Sequence, residues 1–367
     1  MNQWIDPIFN MLKVKFDVLD QLDVLDQTKE QIMIFINLED PFRYLLNQRN
    51  DVQLKAAQCS IADIQLNLIS NVINLGQHYR LYCKKNKKSS RVVLYWNYPK
   101  GSYNNRIYWS KYRDDFDKRF GINTNAEYVT RCMEQMVPIL NSIIPFINQV
   151  YLVSGGPVES SLIPKIVMSA YNDGVPKQCI VVSRSRYDYQ YLYDDFTVIE
   201  PRGANSCVVD GTNVIDHMKQ KKNIKNPMTV PSSLLSFILA LLGDEHRGIP
   251  KIEGFGLLSI IKAIHTALEY HIISETTQDI DLLSSILNET YRSRFERNYH
   301  MVNLELQMED VTPAQAELIT SQLIDKYDDR TLNAMNERYF LRDPIMLVDT
   351  ASEQAFRQGR ISANPFQ

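Results

Sequence analysis

Five short apolar runs, each separated from the next by a polar or helically patterned segment, constrain this chain more than any other feature. They are QIMIFIN (Gln31–Asn37), RVVLYW (Arg91–Trp96), Gln149–Val153, QCIVV (Gln178–Val182) and Thr197–Glu200. Runs this short and this continuously apolar fit strands buried on both faces. Residues 51–82 place Leu54, Ala57, Ile61, Ile64, Leu68 and Val72 on one helical face, and 127–148 and 160–172 also read as helices. Strands alternating with helices predict an α/β fold with a mainly parallel, doubly wound sheet and right-handed crossovers. Beyond residue 231 the pattern is helical only, with helices expected over 231–242, 255–272, 279–289 and 312–326. Residues 8–30, with Leu12, Val18, Leu19, Leu22 and Leu25, predict one amphipathic helix, packed on the domain or free to dock a partner.

In such sheets ligands gather at the carboxyl ends of the strands. Those ends are Asn37, Asn97, Val153–Ser154 and Ser183–Asp188. Net charge is −3, so the chain is no polycation and any nucleic-acid surface must be a local patch. None of the five cysteines forms a CxxC pair, and they read as buried, reduced thiols. His78, His217, His246, His265, His271 and His300 show neither HExxH nor HxH spacing and read as surface or packed residues. No Walker A or GxGxxG stretch is present. No apolar run reaches the roughly 20 residues of a membrane span, and Met1-Asn2-Gln3-Trp4 starts no basic leader, so a cytoplasmic chain is expected.

Leu241 to Gly256 reads LLGDEHRGIPKIEGFG. Gly243, Gly248, Gly254 and Gly256 allow tight turns and close approach of another chain, and Pro250 fixes one turn. The helix expected near Phe255 presents free backbone N–H groups, which with its dipole favour a phosphate. Lys251 and Lys262 add charge. A grip of this kind reads backbone, not base sequence.

With the strand QIMIFIN and Leu38–Arg43, the stretch Tyr95–Arg106 continuing to Lys111 and Arg113, and Ile180–Gln190 (IVVSRSRYDYQ), this order resembles the 5′-nuclease family of flap endonucleases and phage-type ribonucleases H. Tyr291–Asn298 (YRSRFERN) is similar to the phage branch. The resemblance spans roughly residues 31–344. It implies a PIN-like α/β fold followed by a helical, helix–three-turn–helix DNA-binding domain. The domains expected are 1–30 (helical extension), 31–226 (α/β), 227–350 (helical) and 351–367 (tail). It also implies DNA as partner, branched or single-stranded, and a viral chain in an infected bacterial cell.

The family's chemistry is phosphodiester hydrolysis on two divalent ions held by carboxylates at those strand ends. Here the matching positions are largely not acidic. The first two fall on Asn37 and Asn97. The acidic cluster falls on Pro157–Leu162 in one of two registers. Either Glu159 keeps one acid and Ser161 and Leu162 replace the pair, or Val158, Ser160 and Ser161 replace all three. The next pair falls on Ser185 and Tyr187, flanked by Arg184 and Arg186. The last keeps Asp244 but has Arg247 for its partner. At most Glu159 and Asp244 remain as metal ligands. The expectation is a site that binds backbone without a metal cofactor. Glu39, Asp40, Asp188, Asp194 and Asp195 lie nearby; strand alternation would turn Asp188 away, so these read as solvated surface acids.

Arg106, Lys111, Arg113, Lys118 and Arg119, with Tyr103, Tyr108, Trp109 and Tyr112 interleaved, fit a clamp on single-stranded DNA, or a surface helix with its rings packed inward. Lys219–Lys225 is a second basic run. Three readings follow: an inactive 5′-nuclease-like DNA-binding subunit of a replication, repair or transcription complex; an active divergent 5′–3′ exonuclease or ribonuclease H with relocated acids and Mg²⁺ or Mn²⁺; and a protein-interaction scaffold. The tail Ile361–Gln367 is a poor match to a sliding-clamp peptide and reads as a frayed end.

Overall fold

A computed structural model describes residues 6–22, 25–26, 28–29, 31–39, 61–96, 108, 137–144, 147, 149–171, 177–194, 196–218, 229–244 and 247–323. Asn97, Arg106, Lys111, Arg113, the basic run 219–225, Asp40, Asp195 and the tail 351–367 lie outside them, as do the domain boundaries near 227 and 350.

The strands are β1 (Gln31–Asn37), β2 (Ser89–Trp96), β3 (Val150–Ser154), β4 (Lys177–Val182), β5 (Thr197–Glu200) and β6 (Cys207–Val209). They form one sheet of order β3-β2-β1-β4-β5-β6. All neighbours are parallel except β5 and β6, an antiparallel edge hairpin that its three-residue length hides in the sequence. The chain winds outward from β1 through β2 to β3, then restarts on the other side with β4 and β5. The switch point therefore lies between the carboxyl ends of β1 and β4, where such sheets open a crevice.

The strands are buried on both faces, which accounts for their unbroken apolar sequence. Ile32, Ile34 and Ile36 of β1 enter one core with Val92, Leu94 and Trp96 of β2. That face is covered by α1 (Asp6–Leu12), α2 (Phe16–Gln21), α3 (Ile61–Lys85) and the helical segment 137–143. Met33 and Phe35 enter the other core with Val93 and Tyr95. There the covering elements are α4 (Ile163–Ala170), α5 (Val214–Met218) and the helical region.

The N-terminal segment is two short helices, not one. Between them the backbone of residues 12–14 is captured by α3: Tyr79 Oη donates to the Leu12 carbonyl at 2.6 Å, and His78 Nε2 lies 2.8 Å from the Val14 carbonyl. Burial pushes the His78 imidazole down to about 4, so it is neutral and donates through Nε2. Phe9, Leu12, Leu19 and Leu25 are buried in the sheet's own core. These faces are used inside the fold.

The helical region comprises α6 (Leu235–Leu242), α7 (Leu257–Glu269), α8 (Ile280–Ser285), α9 (Glu289–Val302), α10 (Leu304–Glu309) and α11 (Pro313–Thr320). Helices α9 and α10 are the two of these that the sequence pattern conceals. The buried face of α9 carries Phe295, Asn298, Tyr299 and Val302, and the polar Asn298 interrupts the apolar stripe. Asn298 is fully buried because its amide donates to the carbonyls of Ala240 (2.9 Å) and Pro250 (2.8 Å). It thereby ties the end of α6 to the turn that follows. Leu239, Ile261 and Phe295 share one continuous core with Phe35 and Val181 of the sheet. The helical region is thus built onto the same sheet face that bears the switch point. Among the described residues no helix is long and apolar enough to cross a membrane.

Candidate functional site

Strand alternation decides what faces the crevice. Asn37 follows Phe35 by two and so points to the same face; Tyr95 follows Val93 likewise. Both reach Asp188. Asn37 Nδ2 donates to Asp188 Oδ2 at 2.8 Å and Tyr95 Oη at 2.9 Å. The expectation that Asp188 is a solvated surface acid is overturned. It is fully buried at the centre of the site. The alternation rule fails because β4 ends at Val182, and the backbone passes through a turn into a 3₁₀ helix, Asp188–Asp194. Desolvation raises the Asp188 carboxyl above its ordinary value, with Ser183, Asn37, Ser161 and Tyr95 opposing by hydrogen bonding.

That direction makes a prediction. A carboxyl whose folded value is raised contributes stability that is fully present below its unfolded value and lost as pH rises through the folded one. Asp188→Asn keeps an oxygen for Asn37 and Tyr95 and removes the ionisation. The variant is expected to match the wild type near pH 4 and to gain on it progressively toward pH 8, read as urea midpoints. A difference that does not change with pH would contradict the burial of this carboxyl.

A second group lies beside it. After β3 the chain turns at Gly155–Gly156 and enters the 3₁₀ turn Ser160–Leu162. Glu159 and Ser161 face Arg247, whereas Val158 and Leu162 belong to the apolar core. Arg247 Nη1 donates to Glu159 Oε2 at 2.7 Å, and Nη2 lies 3.3 Å from Ser161 Oγ. The guanidinium carbon sits 3.7 Å from the centre of the Tyr187 ring. Only 7 % of the Arg247 side chain and 2 % of the Glu159 side chain are exposed. This is a sealed ion pair stacked on an aromatic face, not a solvated contact. Tyr187 is itself buried, while Arg184 is exposed and Ser185 and Arg186 half-buried.

Arg247 is carried by the segment between α6 and α7. Helix α6 ends at Gly243 (φ 64°, ψ −177°). Asp244 and Ile249 then exchange backbone hydrogen bonds at 2.8 and 2.9 Å, and Ile252 N–H returns to the Leu241 carbonyl at 3.1 Å. Gly248 and Gly254 take positive φ. Asp244 is 9 % exposed. Helix α7 begins after Gly256, whose N–H donates to Ser259 Oγ at 2.9 Å. Lys251 and Lys262 are both exposed. The segment thus consists of glycine-permitted turns followed by the start of α7.

One contact had no signal in the sequence, and another realises, for Tyr108, the alternative of a ring packed inward. Gln322 brackets Ser154, donating to its carbonyl at 3.0 Å and accepting from its N–H at 2.9 Å, so the end of β3 is covered by the chain's own later segment. Tyr108 stacks on His300, with centroids 4.9 Å apart, and donates to Asp310 at 2.8 Å. That ring is used for packing.

Whether this centre suits two hard divalent ions depends on its donors. Asn37 offers an amide, Ser161 and Ser185 hydroxyls, Glu159 a carboxylate already paired with Arg247, and Asp244 a further buried carboxylate. Asp188 is buried in a setting that favours its protonated form. Such ions take several charged carboxylate oxygens, and a guanidinium in contact with one of them repels a cation. Of the described carboxylates, one is paired with a guanidinium and one is buried where desolvation disfavours its charge, and both facts count against a Mg²⁺ or Mn²⁺ pair. Among the described residues, the group of three ligating side chains close enough to share one ion is Glu200, Cys207 and His217.

No family model matches the chain, and no curated protein does. Solved structures are similar in chain path. One is a bacteriophage T5 5′-exonuclease with zinc ions bound, at 11 % identity and TM-score 0.46, covering 84 % of this chain and 98 % of that one. Another is the bacteriophage T5 flap endonuclease in a complex with DNA and metal ions, at 12 % identity and TM-score 0.42, with the same coverage. A third is the catalytic core of Rad2 with a DNA substrate, at 10 % identity and TM-score 0.40, covering 93 % of this chain and 94 % of that one. Likeness at this level concerns fold and says nothing of this chain's chemistry.

Proposed function

We propose that this chain holds the sugar–phosphate backbone of branched or single-stranded DNA and does not hydrolyse it, acting as an accessory subunit of a replication, repair or transcription complex. The observation that carries this reading is the buried Arg247–Glu159 pair. It puts a permanent cation where hydrolysis on two metals would need negative charge. The reading assigns no Mg²⁺ or Mn²⁺ cofactor to that centre. The grip is assigned to the turns at Gly248 and Gly254, Gly256 at the start of α7, and exposed Lys251 and Lys262. Arg184 and Arg186 add positive charge at the switch point. Arg106, Lys111 and Arg113 are proposed to extend the same contact.

The test uses purified full-length protein and a labelled 5′-flap substrate. The expected result is a mobility shift in EDTA at low salt and no product with Mg²⁺ or Mn²⁺. Short products that appear only with Mn²⁺ and vanish on chelation would establish relocated metal ligands instead. No shift at any salt would favour a scaffold that binds protein alone.

The double variant Lys251→Glu with Lys262→Glu is expected to weaken binding uniformly across sequences. Loss of two phosphate contacts lowers the slope of log K against log salt by about 2. A salt slope equal to that of the wild type would remove these lysines from the interface.

A further inference from the structure

Outside the switch point, the β5–β6 hairpin and α5 bring together three side chains of metal-ligating type. Glu200 and Cys207 are direct cross-strand partners, the last pair before the hairpin loop. His217 lies in the last turn of α5, whose Val214, Ile215 and Met218 are buried in the same core as Val198 of β5 and Val209 of β6. The turn before α5 is rigid: Asp210 Oδ1 accepts from the N–H groups of Thr212 and Asn213, and Asn213 Nδ2 donates to the Val208 carbonyl at 2.9 Å. The three groups therefore sit on fixed elements.

Their order is specific. His217 Nδ1 contacts Glu200 Oε2, and His217 Nε2 lies 3.8 Å from Cys207 Sγ. The other oxygen of Glu200 accepts from Arg202 Nε and Nη2 at 2.9 and 2.7 Å, so the carboxylate cannot swing away. A carboxylate on Nδ1 fixes the tautomer that leaves the Nε2 lone pair free, the usual support of a metal-bound histidine. Two ligands on one tetrahedral zinc, at about 2.3 Å for sulfur and about 2.0 Å for nitrogen, stand about 3.5 Å apart. The Cys207–His217 separation is close to that value. The side chain of Tyr189, edge-on to the imidazole, closes one flank.

We propose that Cys207 and His217, with Glu200 behind the imidazole, bind a single borderline-soft divalent cation of the Zn²⁺ class. Thiolate and imidazole select such an ion over Mg²⁺ or Ca²⁺. Cys207 is partly exposed, which gives the ion a route in and corrects the expectation that every thiol here is buried; Cys83 and Cys179 are buried. The remaining coordination positions are filled by water or by an oxygen anion. The site is independent of the Arg247–Glu159 centre, and of whether the chain binds DNA.

The experiment adds Co²⁺ alone to chelator-treated full-length protein and follows the thiolate-to-cobalt charge-transfer absorption. One equivalent is expected to produce the band, and Zn²⁺ to bleach it. Cys207→Ser is expected to abolish it, and Glu200→Gln to weaken affinity 10- to 100-fold, the range for a group that orients a metal-bound histidine. A second measurement needs no substitution: Zn²⁺ is expected to slow alkylation of Cys207 by iodoacetamide at least tenfold, read by mass spectrometry of the peptide. Absence of the band in the wild type, its persistence in Cys207→Ser, or alkylation unaffected by Zn²⁺ would overturn the proposal.

Discussion

Arg247→Ala is expected to cost about 3–5 kcal/mol of folding stability, the range for removing one partner of a buried ion pair. The cost is not the lost attraction itself. Glu159 is 3 % exposed, and without the guanidinium its carboxylate stays buried after losing the Arg247 contact. Loss of the contact between Arg247 and the Tyr187 ring adds to this by about 0.5–2 kcal/mol. The double variant Glu159→Leu with Arg247→Met separates the two explanations. Replacing a whole buried pair by apolar groups of similar volume is often neutral or stabilising. It is therefore expected to recover most of the stability that Arg247→Ala loses. The check is the urea unfolding midpoint of the three proteins at pH 7 and at two salt concentrations. Because the pair is sealed from water, its contribution should change little with salt. A loss below about 1 kcal/mol for Arg247→Ala, the value of an exposed pair, would mean that water reaches Glu159. The centre would then be open to ions, and the main ground for an inactive site would go with it.

How much of this was legible in the sequence follows from the range of the interactions. The five parallel strands were readable because burial on both faces leaves a local mark in residue type, from Gln31–Asn37 to Thr197–Glu200. The turn chemistry of Gly243–Gly256 was readable for the same reason. Helix α9 was not, because Asn298 sits on its buried face to bond carbonyls 48 and 58 residues away. The break between α1 and α2 was hidden likewise: its cause is Tyr79 and His78, more than 60 residues on. That Asn37, Ser185 and Tyr187 are not acids could be read directly from the sequence. That Arg247 would close on Glu159 across 88 residues could not. Asp188 was misjudged because a rule for regular strands was extended one turn past the strand's end. The group Glu200, Cys207 and His217 lies within 18 residues in sequence, but no local rule marks that spacing, and only the hairpin pairs the first two.

Gly243→Ala tests how far the turn segment and the buried pair depend on one another. Gly243 combines φ 64° with ψ −177°, a region that only glycine visits without strain, and such strain costs about 1–3 kcal/mol. A methyl group there would also stand 2.5 Å from Lys251 N and 2.7 Å from Ile249 O. Both are backbone atoms, so no flexible side chain can yield. Together these place the expected loss above about 3 kcal/mol. The strain would be relieved by opening the Asp244–Ile249 bridge, and Arg247 lies inside that bridge. Opening it withdraws the guanidinium from Glu159. Gly243→Ala and Arg247→Ala should therefore be strongly sub-additive, since the second removes a contact the first has already broken. Hydrogen exchange gives the local readout. In Gly243→Ala the N–H groups of Ile249 and Ile252, bonded to Asp244 and Leu241, are expected to lose protection before those of β1. Additive losses, or unchanged protection at Ile249, would show that the turn and the ion pair are energetically separate. The positioning of Arg247 would then have to be sought in the packing of α6 against α9, where Asn298 bonds the Ala240 carbonyl.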